Sequence, residues 1–143
     1  MNDINHNISF FANFVNCYTE NNVSVIGVGD DPNEPEHYII ISQFIEEDED
    51  IDNSIDLEGH FFNGVICGAI KYIGLNGNNL LIRLCENKNK SIGIDKIEIN
   101  LNISTKKLES LVEYINKIFS QSNIEIELEL ETEEMKETSM DRL

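Results

Sequence analysis

The first half of the chain contains no positively charged side chain. No Lys or Arg precedes Lys71, whereas residues 1–70 contain fourteen Asp and Glu residues, a formal charge of −14. Residues 71–143 contain ten basic and thirteen acidic residues, a charge of −3. A field of one sign attracts cationic partners and repels nucleic acid and anionic lipid. The charge thus argues against nucleic-acid binding and leaves two interpretations, a surface for a basic partner or simple solubility.

Signals for secretion, membrane insertion and disulfide formation are also missing. The N-terminus, MNDINHNISF, lacks a basic region and a long apolar run, and no stretch approaches the roughly 18 apolar residues of a membrane span. The three cysteines, Cys17, Cys67 and Cys85, have no C-x-x-C spacing. We therefore expect reduced, buried thiols in a cytoplasmic protein that binds no membrane.

Motifs for catalysis and cofactor binding are absent as well. The chain has neither G-x-S-x-G nor H-E-x-x-H. Gly27 and Gly29 follow a predicted strand, but the third glycine of a phosphate loop is missing, and Asp30 and Asp31 would repel phosphate. We therefore predict a protein that is not an enzyme and that has no cofactor.

The histidines are dispersed along the chain. His6, His37 and His60 show no metal-ligand spacing, so no specific metal site is predicted. A catalytic pair of Cys67 and His60 stays open, because catalytic partners are neighbours in space rather than in sequence. The apolar run VICGAI around Cys67 predicts burial, however, and burial disfavours the reactive thiolate.

The most acidic segment of the chain is residues 45–58, IEEDEDIDNSIDLE. It is too charged for a core and too long for a tight turn. Repulsion among its carboxylates should keep residues 46–58 as an extended, solvated loop. Its acidic residues and two aspartates of the loop before the third strand are the predicted partner-binding residues: Glu46, Glu47, Asp48, Glu49, Asp50, Asp52, Asp56, Glu58, Asp30 and Asp31.

This acidic segment also resembles part of a calcium-binding loop. Five residues from Asp48 to Asp56 fall at positions 1, 3, 5, 7 and 9 of an EF-hand register. The glycine expected at position 6 is Asn53, and the glutamate expected at position 12 is Gly59. An EF-hand is therefore not predicted, and weak calcium binding is kept as an alternative.

Hydrophobic periodicity predicts about seven strands followed by a helix. Alternating or β-branched runs lie at residues 7–16, 23–28, 37–45, 57–63, 65–73, 80–85 and 94–103, and the GLNGNN cluster after residue 73 indicates a hairpin. Apolar residues from Leu108 to Phe119 form one stripe of an amphipathic helix, with Ser104 or Thr105 as its N-cap and Asn123 in a left-handed conformation after it. Residues 124–131, IEIELELE, predict a charged edge strand, with a helix as the alternative.

The expected fold class is α+β. We predict a curved antiparallel sheet of about seven strands, either open or partly closed into a barrel, with one C-terminal amphipathic helix packed on it. Strand–helix–strand alternation is missing, which argues against a parallel α/β sheet. Residues 1–131 are expected to form one globular domain, and residues 132–143 a disordered tail.

Several segments, taken in order, suggest a family. These are VSVIGVGDD, HYIIISQF, the acidic linker leading to DLEG, NGVICGAIKYIGLNGNNLLIRL, and IEINLNIS with a helix that ends in IF. Over residues 8–120 this order resembles the immunity protein 10 family of bacterial polymorphic-toxin systems. The resemblance implies a protein that neutralises a cognate toxin by binding it, without chemistry. It implies no individual binding residues.

Three classes of function follow from these observations. The first is an immunity protein whose acidic surface occludes a basic, nuclease-like toxin domain, because a nuclease site is itself cationic. The second is a non-catalytic adaptor of pleckstrin-homology-like shape, since seven strands and a C-terminal helix give that outline. The third is a small enzyme with an unrecognised site. A monomer and a homodimer are both compatible with the sequence.

Overall fold

The computed structural model describes residues 7–44, 51–86 and 93–129. These residues contain ten strands, arranged in two five-stranded sheets, and the helix α1 (Thr105–Phe119). Sheet A contains, in spatial order, β1 (Asn7–Ala12), β9 (Lys96–Leu101), β8 (Asn79–Leu84), β7 (Ile70–Asn76) and β10 (Glu125–Glu129). Sheet B contains β2 (Phe14–Glu20), β3 (Val23–Gly29), β4 (Tyr38–Phe44), β5 (Ile55–Gly59) and β6 (Ile66–Cys67).

The α+β class is confirmed, but the single sheet of about seven antiparallel strands is wrong. The described residues form ten strands in two sheets, and the sheets do not close into a barrel. Sheet B is antiparallel throughout, whereas in sheet A β1 pairs with β9, and β10 with β7, in parallel. The seven-strand outline behind the pleckstrin-homology comparison is therefore not found in the described part of the chain.

One predicted strand is in fact two, because the chain passes from sheet A to sheet B at Asn13. Phe10 and Ala12 are buried in β1, whereas Val15 is buried in β2, so the inward parity changes between them. The Asn13 N–H donates to the Gly29 carbonyl at 3.1 Å, and the Ala12 carbonyl accepts from the Asn102 N–H at 2.7 Å. Alternation in the sequence does not reveal this crossing, since both halves keep a strand period.

The hairpin predicted at GLNGNN is confirmed, and a further hairpin joins β2 to β3. Asn21 and Asn22 join β2 to β3 with φ of 54° and 68°, the geometry of a type I′ turn that matches the twist of paired strands. Gly77 has φ of 61° between β7 and β8, as a type II′ turn requires. The predicted strand 65–73, in contrast, is broken at Gly68, which has φ of 66°. Its first part, β6, belongs to sheet B and its second part, β7, to sheet A.

Helix α1 completes a core that lies between the inner faces of the two sheets. The Ser104 hydroxyl caps the helix by accepting from the Lys107 N–H at 3.2 Å. The helix packs on β2 and β3, and the buried residues of both sheets and the helix form one cluster, which supports a single core in the described residues. The Lys117 ammonium donates to the Thr19 hydroxyl at 2.9 Å. Asn123 has no positive φ, so its predicted left-handed conformation is wrong.

The charged edge strand is confirmed as β10. Its three glutamates are exposed, and Ile126 and Leu128 pack against the core from the other side. The predicted tail, residues 132–143, lies outside the described residues. Among the segments that the structure describes, no helix has the length and apolar content needed to cross a membrane.

Candidate functional site

The outer face of sheet B carries exposed apolar and acidic side chains. Side chains of directly paired residues lie on the same face of a sheet, so the register defines which residues point outward. We call this set the B face: Phe14, Asn16, Tyr18 and Glu20 of β2, Val23, Val25, Gly27 and Gly29 of β3, Tyr38, Ile40, Ser42 and Phe44 of β4, Asp56 and Glu58 of β5, and Cys67 of β6.

The centre of the B face is apolar and hollow. Gly27 lies between Asn16 and Ile40 of the neighbouring strands and has no side chain to fill the space above it. The resulting cavity has a volume of about 180 Å³ and is lined mainly by apolar groups, among them Tyr18 and Tyr38. Tyr18 is 42% exposed and Phe44 44% exposed, so large apolar side chains are available to a partner. Apolar patches of this kind commonly mark binding sites.

The backbone does not require a glycine at the floor of this hollow. Gly27 has no positive φ, and a Cβ added there would meet only the Asn16 carbonyl, at an ordinary 3.6 Å. The consequence of the glycine is therefore the open space itself. The loop after β3 forms one wall of the cavity through Pro32 and Pro35, and Pro35 also packs against Gly29.

Acidic side chains border the apolar centre, and the strands of sheet B carry no cation. Glu58 lies beside Ile40, Asp56 beside Ser42, and Asp31 lines the hollow. All of sheet B precedes Lys71, the first basic residue of the chain. The B face therefore combines apolar contact area with negative potential of one sign, which favours a partner that has apolar groups surrounded by Lys or Arg.

The structure places the predicted partner-binding residues in three different settings. Glu46 to Asp50 lie outside the described residues. Asp52 lies in a short 3-10 turn, where its carboxylate accepts from the Asn123 N–H at 3.0 Å. Asp56 and Glu58 belong to β5 and point outward on the B face, so the loop predicted over residues 46–58 ends at the start of β5. The EF-hand register likewise runs into a strand at its second half.

Asp30 and Asp31, in the loop between β3 and β4, are held by hydrogen bonds. The Asp31 carboxylate accepts from the N–H groups of Glu34 and Asn33 at 2.8 and 2.9 Å, which lowers its pKa. The Asp30 carboxylate contacts the His37 imidazole at 2.9 Å, and this hydrogen bond is the main cause of the lowered pKa of Asp30. The loop thus supplies fixed carboxylates at one end of the B face.

Sequence spacing did not indicate a cluster of rings that lies behind this loop. The imidazoles of His37 and His60 meet edge to face with ring centroids 4.9 Å apart, and Phe10 stacks on His37 at 5.8 Å. His60 follows β5 and is brought there because β4 and β5 pair antiparallel. This contact follows from the pairing of β4 with β5 and not from the spacing of the histidines along the chain.

The cysteine prediction is wrong for Cys67, which is exposed on the B face, and Cys17 and Cys85 are only partly buried. Burial raises the pKa of the Cys17 thiol to about 11, so it is a weak nucleophile. Cys67 pairs with Asp56 near the start of β5, whereas His60 follows the end of that strand. Four residues of strand separate the two positions by roughly 13 Å, so the structure does not bring Cys67 and His60 together.

The outer face of sheet A, the A face, has a different composition. It contains Asn7, Ser9 and Phe11 of β1, Lys96, Glu98 and Asn100 of β9, Asn79, Leu81 and Arg83 of β8, Tyr72, Gly74 and Asn76 of β7, and Glu125, Glu127 and Glu129 of β10. Both signs of charge are present. The Tyr72 hydroxyl donates to the Glu127 carboxylate at 2.6 Å, which raises the pKa of Tyr72 to about 12, and the Arg83 guanidinium lies 5.9 Å from the Tyr72 ring.

In comparisons with known proteins, no family model and no characterised protein matches this chain.

Proposed function

We propose that this protein is a non-catalytic immunity protein that binds and neutralises a basic toxin domain through the B face. The observation that carries the proposal is the combination, on one sheet, of an open apolar hollow with carboxylates and no cation. Apolar anchors buried at the centre of an interface supply most of the binding energy, and complementary charge supplies fast and selective encounter.

The nature of the partner is supported by electrostatics. A nuclease holds phosphates with Lys and Arg, and a face of carboxylates mimics the charge of nucleic acid. Residues 46–50 are all acidic and follow Phe44 in the sequence after one intervening residue, so they add to the negative charge of this part of the chain. The resemblance of residues 8–120 to the immunity protein 10 family agrees with this function. Binding without chemistry is in keeping with a site built from apolar groups and carboxylates.

The first test uses the product of the gene adjacent to the one that encodes this protein. Co-expression should rescue cells from its toxicity, and the two purified proteins should form a complex whose association slows as salt is added. Conversion of Glu46, Glu47, Asp48, Glu49, Asp50 and Asp52 to their amides should slow association at low salt several-fold.

A control variant removes the same number of charges from the other end of the chain. Glu125, Glu129, Glu131, Glu133, Glu134 and Glu137 are converted to Gln, and association should change much less. An unchanged association rate for the first variant would show that the acidic segment is not part of the interface. Failure of the co-expressed protein to protect cells would contradict the proposed function itself.

A further inference from the structure

We propose that Asp30, Glu36 and His37 form a binding site for a divalent transition-metal ion such as Zn²⁺. Each residue offers one ligand atom, a carboxylate oxygen or an imidazole nitrogen, and these three atoms all lie within 4.8 Å of one another. The site lies at the loop between β3 and β4, beside the B face. It does not depend on the proposed function.

The loop brings the three ligand residues together at its two ends. The ladder between β3 and β4 ends at the pair Gly29 and Tyr38, directly next to Asp30 and His37. The loop is then closed by a hydrogen bond from the Asp30 N–H to the His37 carbonyl at 3.1 Å. A second hydrogen bond, from the Glu36 N–H to the Asp30 carboxylate at 3.0 Å, sets Glu36 beside the pair. The ligand positions are therefore anchored to a sheet rather than to a free loop.

The orientation of the His37 ring is fixed by its neighbours. Phe10 stacks on one side at 26° between ring planes, and His60 contacts the ring edge to face at 83°. His60 is itself held, because its Nδ1 accepts from the Tyr38 N–H at 3.0 Å. The ring of His37 presents its Nδ1 to the Asp30 carboxylate at 2.9 Å. This packing restricts rotation of the His37 ring and so sets the direction of its Nδ1.

The distances suit a small ion after a modest movement of one side chain. Zn²⁺ binds nitrogen and oxygen at about 2.0–2.2 Å, which places neighbouring ligand atoms of a tetrahedral site roughly 3.3 Å apart. The Asp30 and His37 atoms already lie within that separation, at 2.9 Å. Glu36 is exposed, so its carboxylate is free to rotate toward them. Three protein ligands leave the fourth position to water.

The imidazole decides the class of ion. Ca²⁺ and Mg²⁺ prefer oxygen ligands, whereas Zn²⁺, Ni²⁺ and Cu²⁺ bind imidazole nitrogen well. The negative charge of the region is not balanced by any Lys or Arg among residues 1–70. A bound divalent cation would offset the charges of Asp30 and Glu36 directly.

The test is isothermal titration of the full-length protein with zinc chloride, compared with two ligand variants and one charge control. His37→Gln and Asp30→Asn should each weaken zinc binding at least about tenfold, since loss of a ligand costs no less than loss of a supporting residue. Asp31→Asn removes the same charge one residue away, outside the ligand group, and should change the affinity less than about twofold. Circular dichroism should show that all three variants are folded.

A second measurement distinguishes a coordinated ion from a diffuse cation atmosphere. Zinc should shift the ring resonances of His37 in a proton–nitrogen NMR spectrum. An excess of calcium chloride should not displace the bound zinc. The proposal is overturned if His37→Gln leaves zinc affinity unchanged, if Asp31→Asn weakens it as much as Asp30→Asn does, or if calcium competes as well as zinc. All of these measurements are made without a protein partner, so they stand apart from the test of immunity function.

Discussion

The central strand of each sheet presents one half-buried aliphatic residue on its outer face, Ile40 in β4 and Leu81 in β8. Each of these residues lies between a glycine and a glutamate. Ile40 is paired with Gly27 and Glu58, and Leu81 with Gly74 and Glu98. The two faces therefore start from the same local arrangement of side chains.

The faces differ in what covers the glycine. On the A face the Tyr72 side chain lies over Gly74, and the remaining depression is lined largely by polar groups such as Asn76, Asn79 and Glu129. On the B face only the Asn16 carbonyl lies within 4 Å of the position above Gly27, and the cavity stays open and apolar. A gap that the protein fills with its own tyrosine stabilises the sheet, whereas a gap left open is available to another molecule.

The two faces also differ in the signs of the charges that they carry. On the A face Lys96 and Arg83 stand among the glutamates, and two of these glutamates accept hydrogen bonds from Tyr72 and Asn79. On the B face the acidic residues share their sheet with no Lys or Arg. Charges that are partly offset by neighbours of opposite sign contribute less to long-range attraction, while charges of one sign add up. Under the proposed function, the A face serves stability and the B face serves binding.

The largest expected effect comes from truncating the matched aliphatic residues. Ile40→Ala should weaken binding of the toxin partner roughly 30- to 150-fold, about 2–3 kcal/mol, because it removes an anchor at the interface centre. Leu81→Ala should change that affinity less than about twofold. Each of the two substitutions should lower the free energy of unfolding by about 1 kcal/mol. Surface plasmon resonance and thermal unfolding measure the two quantities.

A converse variant keeps the apolar surface and removes the open space. Gly27→Val should fill the hollow without backbone strain, so the fold should be retained while binding is weakened. Equal effects of Ile40→Ala and Leu81→Ala on affinity would remove the distinction between the two faces.

A smaller effect is expected from charge removal on each face. Glu20→Gln combined with Glu58→Gln should slow association about 3- to 10-fold at low ionic strength, since both carboxylates belong to the B face. Glu125→Gln combined with Glu129→Gln removes the same net charge from the A face and should slow association less than about twofold. Stopped-flow mixing measures both rates. If the two pairs slow association equally, only total charge matters and the position of the carboxylates does not.

The smallest effect concerns the tyrosine that covers Gly74. Glu127→Gln should lower the pKa of Tyr72 from about 12 toward its ordinary value near 10, because the carboxylate that holds the phenol proton is gone. The raised pKa of Tyr72 stabilises the fold at pH values below about 10, and this contribution is lost as the pH rises from 10 toward 12. NMR titration of the Tyr72 ring measures the pKa. A pKa that stays near 12 in this variant would show that Glu127 is not its cause.

Local features of the sequence predicted much of the secondary structure. The amphipathic stripe from Leu108 to Phe119, the Ser104 cap and the edge strand with alternating glutamates all appear as expected. These features depend on residues a few positions apart, so their physics is contained in a short window. The splits at Asn13 and Gly68 were missed because a change of sheet leaves the strand period of the sequence nearly intact.

The candidate site was predicted only in its charge. Asp56, Glu58 and Asp31 were expected at a binding surface and do lie on or beside the B face. Its apolar hollow was not expected, since it requires Gly27 to stand beside Ile40, thirteen positions further along the chain. The grouping of Asp30, Glu36 and His37 was also missed, because it depends on a loop closed by the pairing of β3 with β4.

By itself the sequence determined the segregation of charge, the strand and helix periods and the turns, because each of these follows from composition or from neighbours along the chain. The tertiary structure alone decided which strands pair, that the outermost pairs of sheet A are parallel, and which glycine is covered by a neighbouring side chain. Those outcomes depend on contacts between distant segments, and the same pattern of alternating residues is compatible with many pairings. The open hollow above Gly27 and the filled gap above Gly74 differ only through such contacts.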